Sequence, residues 1–536
     1  MTSPAMALLL LSCATQEVEG LDLLPPAEQL KRLSLDLRGV MPTLEEVASI
    51  QQAPYLYEDF ADRYLDDDRF LGQVRNLYDQ RFLVRTGSDA GLGSSYDGDT
   101  VAAALADESL RLVSRIVDQD LPWTEVVLAD YTMANPVLAD VFELDYPSDA
   151  SDWQPAHYVD GRPHAGVLSM SSIWYRYPSM GGNANRHRAN AMSKMLLCED
   201  YLTRPVVLNR AAVDQLVIDP EAAINENESC QSCHSTLDPL ASHFFGFFVT
   251  DGEDADDMVF TEYMAEEEEG WRDYSGKSPG YYGVPTANLT ELASQIADDS
   301  RFVDCAVRSF WEGITQRDYS DLDWSEVSDH RAAFEADGLL VKPLVKSIVM
   351  SEAYRADTPE DLDLAERLPG VKVVAPHQLA NTVEQLTGYR WQFDGLDGLT
   401  TDTLGLPVLA GGTDGDTVTE RSYEPSVGLV YVQERLAWSA AWHVVEHDLD
   451  SAREGDAILL HYVTVEDDPD NAARAFDTQI RKIYEAVRLS PLDPTADEPE
   501  QLIEVWKQVH SVEGSARSAW AAVLTAILRD PALITY

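Results

Sequence analysis

Pro26-Ala27-Glu28-Gln29-Leu30-Lys31-Arg32-Leu33-Ser34-Leu35-Asp36-Leu37-Arg38-Gly39 reads as a single amphipathic helix with its own start and stop. Leu30, Leu33 and Leu37 recur at helical spacing, Pro26 suits a first turn, and Gly39 supplies the terminating residue. The device returns late in the chain. Pro376 precedes Gln378-Leu379, and Leu386 and Gly388 follow at the spacing that separates Gln29-Leu30 from Leu37 and Gly39. Three further echoes follow in the same order. Asp97-Gly98-Asp99-Thr100-Val101 recurs as Asp414-Gly415-Asp416-Thr417-Val418. Asp304, Val307, Arg308, Phe310, Trp311 and Glu312 are matched by Asp477, Ile480, Arg481, Ile483, Tyr484 and Glu485. Ser347-Ile348-Val349, with Ser351, Ala353 and Tyr354, is matched by Ala526-Ile527-Leu528, with Asp530, Ala532 and Leu533. Preserved order points to an internal duplication.

Thr43 and Glu46 form a capping-box pattern after Pro42, and β-branched alternation is sparse. The expected fold is mainly α, with two related helical units. The first runs as residues 21–140, a loop-rich insertion over 141–297 and closing helices over 298–357. A linker at 358–375 leads to the second unit, 376–536. Tyr177-Pro178-Ser179-Met180-Gly181-Gly182 and Ser278-Pro279-Gly280 mark the insertion as loop-bearing, and it has no counterpart in unit two.

Composition bounds the function. Thirty-nine basic against 93 acidic residues give a net charge of −54, which excludes a general binder of nucleic acid or anionic membrane. Ala5-Met6-Ala7-Leu8-Leu9-Leu10-Leu11-Ser12-Cys13 has the form of a bacterial lipoprotein signal, with Cys13 as the lipidation site, although Met1 to Pro4 carries no Lys or Arg. Residues 1–20 are thus read as signal and linker. No other segment approaches the length of a membrane span. The expected location is the cell envelope, periplasmic or at the surface, as an outer-membrane lipoprotein held only by its lipid anchor.

Cys230-Gln231-Ser232-Cys233-His234 carries the chemistry. Two thiols at this spacing can each take up one vinyl group of a haem, and the following imidazole is placed as proximal iron ligand. The alternatives are a Cys230–Cys233 disulfide or half a zinc site, but no second Cys pair is present to complete four zinc ligands. Cys198 and Cys305 remain; in an oxidising compartment they are expected to pair, and otherwise are two buried thiols.

Several segments resemble one family. Leu33 to Gly39 followed by Pro42-Thr43-Leu44-Glu45-Glu46-Val47, His164 to Ser169, Arg188-Ala189-Asn190, and Leu196-Leu197-Cys198 are similar to segments of the planctomycete-type cytochrome c-domain proteins of unknown function, also common in myxobacteria. Cys230 to His234 with trailing Leu237-Asp238-Pro239-Leu240 and Phe244-Phe245-Gly246-Phe247 resembles their haem segment. Phe302 to Ile314 and Ser347 to Tyr354 resemble their closing helices. Their proline-rich stretch ahead of the haem motif is reduced here to Pro205 and Pro220. The resemblance implies a haem-bearing envelope protein.

One covalent haem c is therefore the expected cofactor. Met180, in a glycine-flanked loop, is the first choice for a sixth ligand, with Met170, Met192, Met195, His243, Met258 and Met264 as alternatives. Arg176, Arg186 and Arg188 are candidates to pair with the haem propionates. Asp251 to Glu269 holds ten carboxylates and no Lys or Arg, which suits either a solvated loop or steering of a basic redox partner. His443-Val444-Val445-Glu446-His447 fits the H-x-x-E-H helix of a zinc metalloprotease, with Glu485 one of many acids available as third ligand. An electron carrier is preferred to a catalyst; the competing readings are a haem-free scaffold lipoprotein that binds a protein, and the protease.

Overall fold

The computed structural model describes residues 21–86, 96–179, 181–205, 210–247, 263–318, 324–359, 365, 368–393, 395–401, 404–450 and 456–536. Among the described residues the architecture is mainly helical, and strands form only two-stranded antiparallel pairs. The Pro26–Arg38 helix ends at Gly39, whose φ of 67° lets its amide reach the Leu35 carbonyl at 3.0 Å. A side chain there would also collide with Gln73. The Pro376–Thr387 helix ends the same way, on Gly388 at φ 68°. Thr43 and Glu46 make a reciprocal capping box at the start of the Leu44–Gln52 helix.

The other paired segments also share local geometry. Ser300–Thr315 and Ala473–Arg488 are both 16-residue helices, closed by left-handed Gln316 and Leu489 at φ 57° and 58°. The Ser351 side chain caps the turn Glu352–Arg355, and Asp530 caps Pro531–Leu533. The Asp-Gly-Asp copies diverge. Asp97 caps the 21-residue Gly98–Asp118 helix, whereas Asp414 accepts from the amides of Asp416, Thr417 and Val418 in a turn that precedes, but does not start, the Val427–Asp448 helix.

Two large apolar cores follow the division of the chain. One gathers side chains from Ala27 to Tyr354, with Leu489 added from the far end. The other runs from Val373 to Ile534. Segment 141–297 contributes Leu168, Trp174, Leu240 and Phe244 to the first core, so its short helices and loops are built onto unit one. Each unit is closed by a single antiparallel bridge between its entry and exit: Leu23 with Ala356, and Val373 with Thr535.

The units meet through polar groups. Gln378 donates to the Leu35 carbonyl, Asn381 to that of Gly39, and Gln385 bonds both the amide and the carbonyl of Met41. The end of the linker is buried between them. Lys372 is wholly buried and ion-paired with Asp36, which also accepts from Tyr354 and Tyr536. No described helix is long and apolar enough to cross a membrane.

Candidate functional site

The Cys-Gln-Ser-Cys-His stretch lies inside one helix, Glu228–Ala241, hereafter the motif helix. The Asn227 side chain caps it by accepting from the Ser229 amide at 3.0 Å. At about 100° per residue, Cys230, Cys233 and His234 fall within roughly a third of the helix circumference. All three are half-buried, and both cysteines are free thiols. Four residues beyond His234, on the same face, stands Asp238.

Asp238 organises the site. His234 donates from Nδ1 to Asp238 Oδ1 at 2.9 Å. Arg186 grips the same carboxylate with Nε at 2.7 Å and Nη2 at 3.0 Å. Burial would raise the Asp238 carboxyl, but the bonds from His234 and Arg186 outweigh it and hold the group below the usual carboxylate range. An anion fixed on Nδ1 sets the ring orientation and leaves Nε2 as the nitrogen open to a metal. Arg186 opens the neighbouring Arg186–Leu197 helix, which packs along the motif helix. That helix ends at Cys198, which is disulfide-bonded to Cys305 on the Ser300–Thr315 helix. Gly280 lies beside the motif helix's second half, where an added Cβ would meet Pro239 at 3.6 Å.

The three candidate propionate arginines have separate roles. Arg186 is beside the motif. Arg176 donates instead to the carbonyls of Leu83 and Gly415, bridging the two units. Arg188 is fully buried and donates to the carbonyls of Tyr177, Phe244 and Phe247, beneath the Trp174 ring. Neither guanidinium is directed to the motif.

Met170, Met192 and Met195 are packed in the apolar core. Met264 is half-buried, its amide bonded to the Gly246 carbonyl. His243 uses both ring nitrogens, on the Leu240 carbonyl and the Thr286 hydroxyl, and burial pushes it down to about 4. Met180, Met258, Cys13 and most of the acidic run Asp251 to Glu269 lie outside the described residues.

The residues present fit covalent haem attachment: two free thiols on one helical face, an adjacent imidazole and a buried carboxylate behind it. The H-x-x-E-H segment lies near the end of the Val427–Asp448 helix, where His447 bonds Asp448 at 2.8 Å and His443 packs against the Tyr389 ring. Glu485 is paired with Lys482. Among the described residues, no three His, Cys, Asp or Glu side chains converge as a metal site.

The Asp238–Arg186 pair was not assigned from the sequence, although the i, i+4 relation of His234 and Asp238 on a helix was a usable signal. No family model, curated protein or solved structure matches the chain.

Proposed function

We propose that this chain is an exported, monohaem c-type cytochrome-like protein that moves single electrons within the cell envelope. The observation carrying the reading is the motif helix, which presents Cys230, Cys233 and His234 on one face with Asp238 bonded to His234 Nδ1. In this reading Cys230 and Cys233 would hold the haem through thioether bonds, each formed by addition of an S–H across one vinyl group with no net oxidation. His234 would offer Nε2 as a ligand to such a group, while Asp238, clamped by Arg186, holds the ring through Nδ1. The bound haem supplies the one-electron couple.

The Cys198–Cys305 bridge supports an oxidising compartment, as does the lipoprotein-like N-terminus ending at Cys13. The net charge of −54 favours a basic redox protein as partner and argues against nucleic acid. Matched helix lengths, caps and closing bridges support a duplicated helical unit, the first copy having gained the segment that carries the motif.

The test is a pyridine haemochrome assay and a reduced-minus-oxidised spectrum on protein exported by a host competent in haem c maturation. One covalent haem per chain is expected. Colourless, correctly exported protein overturns the reading and favours the scaffold.

A further inference from the structure

The helix Arg210–Ile218 turns its apolar residues outward. Gln215 Nε2 donates to Glu226 Oε2 at 3.4 Å, so the polar side of this helix faces its neighbour, Pro220–Glu226. At 100° per residue, Val213 and Val217 each stand about 160° from Gln215 around the axis, and Leu216 about 100°. All three are exposed, Val217 to 78%, as is Ile218 at the helix end, to 82%. A surface helix ordinarily does the reverse and turns its apolar stripe to the core. Apolar side chains gathered on one water-facing side, rather than scattered singly, mark an interaction surface.

The stripe lies close to the candidate site. Pro220–Glu226 is seven residues, about 10 Å, long, and the residue after it, Asn227, caps the motif helix. Gln231 of the motif helix donates back to the Ile224 carbonyl, which ties the two helices together at that corner.

Charge narrows the choice of partner. From Ala211 to Trp271 the sequence holds sixteen Asp or Glu residues and no Lys or Arg. Asp214, Asp219, Glu221, Glu226 and Glu228 belong to the stripe's helix, its neighbour with its cap, and the first turn of the motif helix. Arg210 is the one Lys or Arg of these three helices, and it lies 3.8 Å from Asp214. An apolar centre with an acidic rim complements an apolar centre with a basic rim. Repulsion between two chains of charge −54 disfavours a second copy as the occupant.

We propose that the outward face of Val213, Leu216 and Val217 is the docking surface for a small basic redox protein, held beside the motif helix. The redox character of the partner rests on the electron-transfer reading; the apolar face and its acidic surroundings do not. The carboxylates steer Lys and Arg side chains toward the surface, and the valines then lose water to the partner's apolar centre. A patch of this size suits a transient contact.

The experiment is calorimetric titration of the exported full-length protein with mitochondrial cytochrome c, a small basic redox protein, at low salt, and with the same probe after its lysines are succinylated. The native probe is expected to saturate at one per chain, and the succinylated probe not to bind. Val213→Ser with Val217→Ser, both at exposed positions, should leave the circular dichroism spectrum unchanged and weaken binding at least tenfold. Unchanged affinity in that folded variant would mean that charge alone attracts the probe, and overturns the proposal. So does the absence of saturable binding, or a chain that sediments as a dimer until the valines are replaced. Pigment judges the haem reading separately: colourless protein that binds the probe through the valines keeps the docking surface and loses the haem, whereas pigmented protein that does not bind keeps the haem and loses the surface.

Discussion

Replacing Asp36 by Asn tests how the two units are held together. Asp36 and Lys372 have side chains 3% and 0% exposed, and the carboxylate also accepts from the hydroxyls of Tyr354 and, at 2.7 Å, Tyr536. Apart from Asp36, the Lys372 ammonium has only the Ile314 carbonyl as an acceptor among the described residues. Asp36→Asn therefore strands a buried cation, a change that costs about 3–5 kcal/mol in comparable settings. The loss has a ceiling. Burial already lowers the Lys372 ammonium to about 8, so without Asp36 it can release its proton near pH 7 and the loss falls at the low end of that range. We expect a loss of about 3 kcal/mol. Lys372→Met is milder, about 2 kcal/mol, because Asp36 keeps two phenol donors. The double variant removes both charges and should recover at least 2 kcal/mol relative to Asp36→Asn alone. Urea unfolding followed by tryptophan fluorescence measures each form. If Asp36→Asn lies within 1 kcal/mol of the parent, or if Lys372→Met adds to its loss, the stranded-charge argument is refuted.

Other expectations are simpler to state. Cys230→Ala with Cys233→Ala should abolish covalent haem, read as loss of pigment after acid–acetone extraction; retained covalent pigment would place attachment elsewhere. Asp238→Asn removes the anion from His234 Nδ1 and half of the Arg186 pair. It should raise the haem reduction potential by tens of millivolts in a redox titration, following the weaker donor character of the imidazole; an unchanged potential would make Asp238 purely structural. The Cys198–Cys305 bridge closes a separation of 107 residues, so Cys198→Ala with Cys305→Ala should cost roughly 2–5 kcal/mol and lower the melting temperature by several degrees in calorimetry. Finally, burial holds His243 down to about 4 in the folded chain, against 6.5 ordinarily. Between those values the unfolded chain binds a proton that the folded chain does not, so stability falls as pH drops through the window, by roughly 3 kcal/mol in all. His243→Gln should flatten that part of the urea-midpoint profile, and an unaltered slope would assign the acid sensitivity to other groups.

Local signals in the sequence carried as far as local physics reaches. The glycine at position 39 or 388 announces a left-handed stop because glycine alone adopts it without cost, and Thr43 with Glu46 announces a capping box by reach alone. Gln316 and Leu489 stop their helices in the same conformation with nothing in their chemistry to say so. There the tertiary contacts of the helix, invisible in a linear reading, outweigh the backbone preference. The candidate site shows the same limit. Arg186 and Arg188 look alike in sequence, yet two helical steps rotate them by about 200°, so one meets Asp238 and the other enters the core. Which arginine faces the motif depends on how the Arg186–Leu197 helix is rolled against its neighbour.

The bridges Leu23–Ala356 and Val373–Thr535 return each unit's exit to its point of entry. A segment whose two ends lie side by side can be lifted out or spliced in without stretching its host, since the gap to be spanned is only that between neighbouring strands, about 5 Å. Residues 373–535 are thus portable: grafted into a surface loop of an unrelated carrier with short flexible joints, they should bring their own core with them.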